Sequence, residues 1–134
     1  LLVSLRLSYL VGDPDLDRGD IVTFQSEELG KLLVKRVIGL PGDTISFAGG
    51  AVYINGQEMA EPYLPAQGKT TVRGDEVFTV PEGCYFMLGD NRTGSEDSRF
   101  WRNPYVPEGA IRAEVLLIIS PLKENSWRGV RLAG

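Results

Sequence analysis

Histidine is absent from the 134 residues of the chain, and cysteine occurs once, as Cys84. Without histidine, these residues cannot form a Ser-His-Asp or Cys-His catalytic site, and they lack the most common protein ligand of zinc. A single cysteine forms no disulfide within the chain and no Cys-x-x-Cys site. In the apolar segment GCYFML, Cys84 is interpreted as a small hydrophobic core residue.

Long hydrophobic runs and long basic runs are also missing. The N-terminal stretch LLVSLRLSYLV has eleven residues and is interrupted by Arg6, whereas a helix needs about 20 apolar residues to span a bilayer. The net charge of -4 argues against nucleic acid as the main partner, because phosphate binding normally requires a basic face. The chain starts in apolar residues without a methionine, so we expect a fragment of a longer protein.

What the chain does contain is the composition of a globular domain. Hydrophobic residues make up 43% of the chain and charged residues 24%, in a length that suits one core with a small lobe. We therefore expect residues 1–134 to form a single domain, with a small insertion lobe around residues 44–83.

The hydrophobic pattern predicts strands almost throughout, in the segments GDIVTF, KLLVKRVIGL, TISFA, AVYI, DEVFTV, CYFML and AIRAEVLLIISPL. The dipeptides Gly49-Gly50 and Asn55-Gly56 are typical of hairpin turns. DEVFTV and CYFML are expected to pair with each other across residues 81–83, and polar residues 60–74 to form an irregular excursion. Short strands with frequent turns predict an all-β fold, as a small barrel-like or folded-over antiparallel sheet.

The first candidate for chemistry is Lys35, in the apolar segment LLVKRVIGL. Side chains alternate along a strand, so Lys35 shares a face with Leu33 and Val37, and Arg36 lies on the other face. Whichever face is buried therefore carries a cation. Burial disfavours the charged form of a lysine and allows it to act as a general base without histidine. The alternative is a sheet-edge lysine with a buried stem and a solvated ammonium group.

The second candidate is the segment GDNRTGSEDSR, residues 89–99, which follows the apolar strand CYFML. Its charges allow ion pairs between Asp97 and Arg99 or between Asp90 and Arg92, and such pairs would set the shape of the loop. Its two serines are small hydroxyls that can hold another polar group in place. The alternative is a solvated turn whose surface ion pairs contribute little.

Together, these segments resemble motifs of the type I signal peptidase family. KRVIGLPGD is similar to the segment that carries the family's catalytic lysine, and GDNRTGSEDSRFW is similar to its GDNR…S.DSR.W motif. RGDIVTF, LLVSLRLSYLVGDP and VPEGAIRAEVLLIISPL are similar to three further family segments, in the same order. The resemblance covers nearly the whole chain and implies the family's catalytic β-domain.

The resemblance implies a serine–lysine endopeptidase, tethered to the cell membrane, that removes signal peptides from exported proteins on the extracytoplasmic face. It implies Lys35 as the general base and Ser95 as the hydroxyl that orients the lysine. The supporting charged residues are Asp97, Arg99, Asp90 and Arg92, of which the first two form an ion pair. Leu33 and Val34 are expected to lie on the strand that pairs with the substrate. The resemblance implies no metal and no cofactor.

The nucleophile is where the chain departs from the family. The family's serine lies in a Ser-Met-x-Pro motif just upstream of the segment that begins at Leu1, and the chain contains no Ser-Met pair. Ser4 and Ser8 align with non-catalytic positions. We therefore expect the nucleophile and the membrane anchor to be missing and the fragment alone to be inactive. Two alternatives are a non-catalytic β-domain that binds extended apolar peptides and a self-cleaving regulator of the related Ser-Lys type.

Overall fold

The computed structural model describes residues 2–6, 16–119 and 130–132, and the side chains of residues 16–115. In this part of the chain, eleven strands and one 3₁₀ turn (Glu108–Ala110) form two antiparallel sheets. The strands are β1 (Leu2–Arg6), β2 (Ile21–Ser26), β3 (Lys31–Gly39), β4 (Thr44–Ala48), β5 (Ala51–Ile54), β6 (Gln57–Glu58), β7 (Phe78–Thr79), β8 (Cys84–Leu88), β9 (Tyr105–Pro107), β10 (Ile111–Ile119) and β11 (Val130–Leu132). The predicted all-β fold is confirmed. No helix among the described residues is long and apolar enough to cross a bilayer.

The first sheet contains seven strands within the described residues, in the order β1-β10-β2-β3-β8-β9, and β11 also pairs with β10. Strand β3 lies between two partners that cover different parts of its length. Its first six residues pair with β2, whereas β8 pairs with Arg36, Val37 and Gly39. The two ends of β3 therefore have different surroundings.

The second sheet is built from residues 44–79, in the order β6-β5-β4-β7. Gly49 and Gly50 connect β4 to β5 with φ angles of 58° and 78°. Asn55 and Gly56 connect β5 to β6 with φ angles of 52° and 85°. Two successive residues with positive φ suit a two-residue hairpin, which explains why these dipeptides predicted both turns.

The expected pairing of DEVFTV with CYFML is wrong, because the two segments belong to different sheets. Phe78 and Thr79 pair with Ile45 and Thr44 of β4 in the second sheet. CYFML is β8, which pairs with β3 and β9 in the first sheet. Residues 81–83 therefore connect the two sheets instead of closing a hairpin.

The two hydrophobic cores lie on opposite faces of β3 and β8. Alternate residues of β8, Tyr85 and Met87, belong to the first core, with Val22, Phe24 and Val37 from the neighbouring strands. Phe86 and Leu88, on the other face of β8, pack into the second core with Ile45, Val52, Ile54 and Phe78 of the second sheet and with Val80, which follows β7. A strand buried on both faces needs a continuous apolar run, which explains the sequence CYFML.

Candidate active site

Lys35 and Ser95 are joined by a hydrogen bond, although 60 positions separate them in the sequence. Lys35 Nζ donates to Ser95 Oγ at 3.1 Å. Lys35 is half-buried, at the point where β3 passes from exposed residues to buried ones. Its neighbour on the same face, Val37, and its partner across the sheet, Val22, are both fully buried in the first core. The strand therefore directs the lysine toward an apolar surface.

The loop that follows β8, residues 89–104, is held to the strand by buried hydrogen bonds. Met87 N–H donates to Ser98 Oγ at 2.8 Å, and Ser98 N–H donates to the Met87 carbonyl at 3.1 Å. Gly89 N–H donates to Asp97 Oδ2 at 3.0 Å. These bonds satisfy the backbone groups at the end of a buried strand and fix the start of the loop.

Asp97 and Arg99 form an ion pair with both side chains fully buried. Arg99 Nε and Nη2 donate to the two carboxylate oxygens of Asp97, each at 2.8 Å, in bidentate geometry. Arg99 Nη1 and Nη2 also donate to the carbonyls of Thr71 and Arg92, at 2.9 and 3.0 Å. The pair therefore connects the loop to the excursion, residues 60–74.

Asp90 and Arg92 do not pair with each other, because each has a different partner. Asp90 accepts two hydrogen bonds from Arg36, at 2.9 and 2.7 Å. Arg92 is 4% exposed and donates through both Nη atoms to the carboxylate of Glu61, and through Nη1 to Thr70 Oγ1 at 2.9 Å. Of the two pairings that the sequence allows in this loop, only that of residues 97 and 99 is formed.

Arg36, the second cation of β3, is buried. Its Nη1 donates to the Gly19 carbonyl at 2.7 Å, and its guanidinium lies 3.7 Å from the centre of the Tyr63 ring. Burial, followed by the adjacent Glu61 carboxylate, raises the pKa of Tyr63 well above its ordinary value. The phenol, which is protonated at neutral pH as tyrosines ordinarily are, donates to Glu61 Oε2 at 2.9 Å. The two cations of β3 contact different partners on opposite faces of the strand.

Leu33 and Val34, the two expected substrate contacts, point to opposite faces of β3. Leu33 is half-buried and packs against the first core. Val34 is 55% exposed, and so is Leu32, two positions earlier on the same face. The exposed end of β3 therefore presents apolar side chains to solvent on the face opposite to that of Lys35.

Ser4 and Cys84 belong to strands that do not pair with β3 at Lys35. Ser4 is on β1, and Ser8 lies outside the described residues. Cys84 is a free cysteine, half-buried against the second core, as its apolar segment predicts. Among the residues that the structure describes, no three His, Cys, Asp or Glu side chains are grouped to hold a metal ion.

A cavity of about 690 Å³ lies beside the end of β2. Phe24, Glu28 and Trp101 are among the residues that line it, and neither Lys35 nor Ser95 is. The Glu28 carboxylate accepts hydrogen bonds from the backbone N–H groups of Arg102 and Asn103, at 2.8 and 3.1 Å. The cavity is therefore separate from the lysine–serine pair.

Sequence reasoning missed the residues of the excursion that contact the site. Glu61, Tyr63 and Thr70 lie in a stretch of mostly exposed polar residues without strand or helix periodicity. Glu61 is 31 positions from its partner Arg92, so no local spacing connects the two. A carboxylate two residues before an aromatic residue is too common in proteins to have identified this contact.

The chain matches known proteins over most of its length. Residues 2–120 match the family described as signal peptidase, peptidase S26. Signal peptidase I U of Bacillus subtilis is 43% identical over 88 residues, which are 61% of this chain and 47% of that protein. Signal peptidase I of Leptolyngbya laminosa is 36% identical over 129 residues, which are 90% of this chain and 60% of that protein. The chain spans about half the length of the curated relatives it matches.

A solved structure shares the fold. The crystal structure of a signal peptidase I from Enterococcus faecalis has 34% sequence identity and a TM-score of 0.63. The match covers 75% of this chain and 96% of that one. Since the family match extends over residues 2–120 and agrees with this structural similarity, the chain belongs to the signal peptidase family, peptidase S26.

Proposed function

We propose that this chain is the extracytoplasmic catalytic domain of a membrane-tethered serine endopeptidase that removes signal peptides from exported preproteins. The observation that carries the proposal is the hydrogen bond of 3.1 Å between Lys35 Nζ and Ser95 Oγ in a chain of this family. A lysine that is held by one hydroxyl beside an apolar core is suited to general-base catalysis without histidine.

In the proposed mechanism, Lys35 activates a serine that a segment outside residues 1–134 supplies. The serine oxygen attacks the scissile carbonyl of the preprotein, and its proton moves to Nζ of Lys35. The tetrahedral intermediate collapses to an ester between the serine and the signal peptide, and Lys35 gives the proton to the nitrogen of the leaving chain. A water molecule, which gives its proton to Lys35, then attacks the ester carbonyl; the released serine oxygen takes that proton back, and the signal peptide leaves as a carboxylic acid. Ser95 accepts a hydrogen bond from Nζ and so aims the lone pair of the amine at the nucleophile. The isolated 134 residues would then be inactive.

The substrate is proposed to bind as an added strand along the exposed end of β3. In the described part of the chain, β8 pairs with β3 from Arg36 onward and leaves the edge of residues 31–35 uncovered. A peptide in extended conformation can pair with such an edge, with alternate side chains on the two faces. Leu33 and Val34 then contact alternate residues of the peptide, and their apolar character suits shallow pockets for the small residues that precede a signal cleavage site.

The location follows from the proposed substrate. Signal peptides lie in the membrane while the mature part of the preprotein has been exported, so the scissile bond is reached from the extracytoplasmic side. We place the catalytic domain on that side of the cell membrane, with the anchor in a segment outside residues 1–134. No nucleic acid takes part, and no metal or cofactor is required by the proposed steps.

The experiment compares preprotein cleavage by the longer protein, containing its serine motif and anchor, with cleavage by its Lys35→Ala variant. Loss of a general base is expected to lower kcat about 10²–10⁴-fold. Lys69→Ala is the matched control, because Lys69 is an exposed lysine outside the proposed substrate edge, and its variant should keep full activity. A fully active Lys35→Ala enzyme would contradict the proposed base.

A second candidate function is a non-catalytic domain that binds extended apolar peptides. The exposure of Leu32 and Val34, 55% each, favours it, because exposed apolar side chains on a strand edge suit peptide docking without chemistry. Calorimetric titration with a signal-peptide segment, combined with mass spectrometry of the peptide afterwards, separates the two functions. Binding with an intact peptide, measured on the longer protein, would favour the second candidate.

A further inference from the structure

Side chains of the excursion, residues 60–74, contact two arginines near the lysine–serine pair, Arg36 and Arg92. Arg36 directly follows Lys35 on β3, and Gly89 and Asp90 are the first two residues of the loop after β8. The excursion contacts the Arg36 side chain, and it contacts Arg92, which donates to the Gly89 carbonyl. Every contact is buried or partly buried, so solvent competes little for these bonds.

The first chain of contacts runs from Glu61 to the backbone beside Ser95. The Glu61 carboxylate binds both Nη atoms of Arg92, and both side chains are buried. Arg92 Nε in turn donates to the Gly89 carbonyl at 2.8 Å. The α-carbon of Gly89 is packed so closely that an added Cβ would overlap Ser95 Oγ and lie 3.3 Å from Lys35 Nζ. Glu61 therefore fixes the peptide against which the pair rests.

The second chain of contacts runs from Tyr63 to the strand that carries the lysine. The Tyr63 ring lies 3.7 Å from the guanidinium carbon of Arg36, whose nitrogens bind the Asp90 carboxylate. The phenol donates to the same Glu61 carboxylate at 2.9 Å. The two chains of contacts thus meet at Glu61, and removing either excursion side chain loosens one side of the site.

We infer that Glu61 and Tyr63 are positioning residues, which hold Lys35 Nζ against Ser95 Oγ from outside the site. The expected effect of these two residues on catalysis rests on the proposed function. Their expected effect on the position of Lys35 rests on geometry alone. Neither residue touches the reacting atoms. Both act through arginines, Glu61 through Arg92 and Tyr63 through Arg36.

The test measures how fast Lys35 reacts with acetic anhydride in the 134-residue chain, resolved from other lysines by peptide mass spectrometry. Exposed Lys31 and Lys69 in the same chain serve as internal standards. In Glu61→Gln and Tyr63→Leu, the reaction at Lys35 relative to these standards is expected to rise about two- to tenfold, the value of one net hydrogen bond. Tyr63→Phe, which keeps the ring over Arg36, should show a smaller rise than Tyr63→Leu.

Two control variants separate positioning from stability and from charge. Val52→Ala opens a cavity in the second core, where Val52 is fully buried, and lowers stability without touching the contacts to either arginine. Glu58→Gln removes an exposed carboxylate of the same sheet. In both controls, measured well below the unfolding temperature, the relative reactivity of Lys35 should equal that of the unmodified chain. If Glu61→Gln fails to fold, the reactivity of Lys35 in Tyr63→Leu and Tyr63→Phe tests the positioning role.

The kinetic arm uses the longer protein and measures kcat and KM for preprotein cleavage in Glu61→Gln. Misplacement of the base is expected to lower kcat up to about 10²-fold and to leave KM within about twofold. Unchanged Lys35 reactivity in the Glu61 and Tyr63 variants overturns the positioning role, even if the longer protein is a peptidase. Raised Lys35 reactivity in a protein that cleaves no preprotein supports positioning and overturns the proposed function instead.

Discussion

Ser95 Oγ lies directly against the α-carbon of Gly89, with no room for a Cβ between them. The same missing Cβ would stand 3.3 Å from Lys35 Nζ. Glycine is needed at this position because of this close approach, and its φ angle lies outside the positive range that favours glycine in turns. The contact between Lys35 and Ser95 therefore requires that residue 89 has no side chain.

Gly89→Ala is expected to displace Ser95 and to break its hydrogen bond with Lys35. Such a shift in the longer protein should lower preprotein cleavage about 10²-fold, and overpacking should cost about 1–3 kcal/mol of unfolding free energy. Gly109→Ala is the control, because nothing lies within 4 Å of its added Cβ. Equal activities of the two variants would contradict the close approach at Gly89.

Asp97→Ala is expected to act mainly on stability. The variant leaves Arg99 as an uncompensated charge at a fully buried position, which costs about 3–5 kcal/mol. Urea denaturation followed by tryptophan fluorescence measures the unfolding free energy. Asp75→Ala removes an exposed aspartate and should change stability by less than about 0.5 kcal/mol. A loss for Asp97→Ala as small as that of the control would contradict the buried pair.

Val34→Ser and Leu32→Ser test whether the exposed end of β3 binds the substrate. Both side chains are 55% exposed, so each substitution should change unfolding free energy by less than about 0.5 kcal/mol. Loss of apolar contact should raise KM for a signal-peptide substrate about 10-fold in each variant. Val77→Ser, at a 59% exposed valine away from β3, is the matched control and should leave KM unchanged. A KM that stays constant in all three variants would exclude this strand as the substrate edge.

Asp43 is expected to make the protein less stable in acid. Burial raises the pKa of Asp43, but hydrogen bonds from Arg18, the Leu40 N–H and Asn55 outweigh it and hold the pKa below its usual value. The stability that this lowered pKa contributes is present above the unfolded-state pKa of about 3.9 and is lost as pH falls through the folded-state pKa.

The measurement is the unfolding free energy between pH 5 and the lowest pH at which the chain stays folded. Asp43→Asn should be less stable than the unmodified chain at pH 5, and its stability should fall less steeply below about pH 4. Asp75→Asn, at an exposed position, should keep the original slope. If the unfolding free energy of Asp43→Asn falls with pH as steeply as that of the unmodified chain, the lowered pKa of Asp43 does not contribute to stability.

The strands and hairpins are determined locally, and the sequence alone is sufficient to predict most of them. Asn55-Gly56 forms its turn because both residues accept positive φ, a property that depends on no distant contact. The placement of β7 depends on distant contacts. Phe78 packs with Phe47 and Phe86 between the sheets. Burial of this side chain therefore makes β7 pair with β4, although β8 is closer in the sequence.

The lysine and its serine were identifiable from the sequence through the motifs of the family, because short segments carry both. The sequence by itself determined that a cation lies within an apolar strand and that a polar, charge-rich loop follows β8. Only the tertiary structure decided that Arg92 binds Glu61 and that Asp90 binds Arg36. Buried charges take the partners that the folded chain brings within hydrogen-bond distance, and those partners lie 31 and 54 positions away.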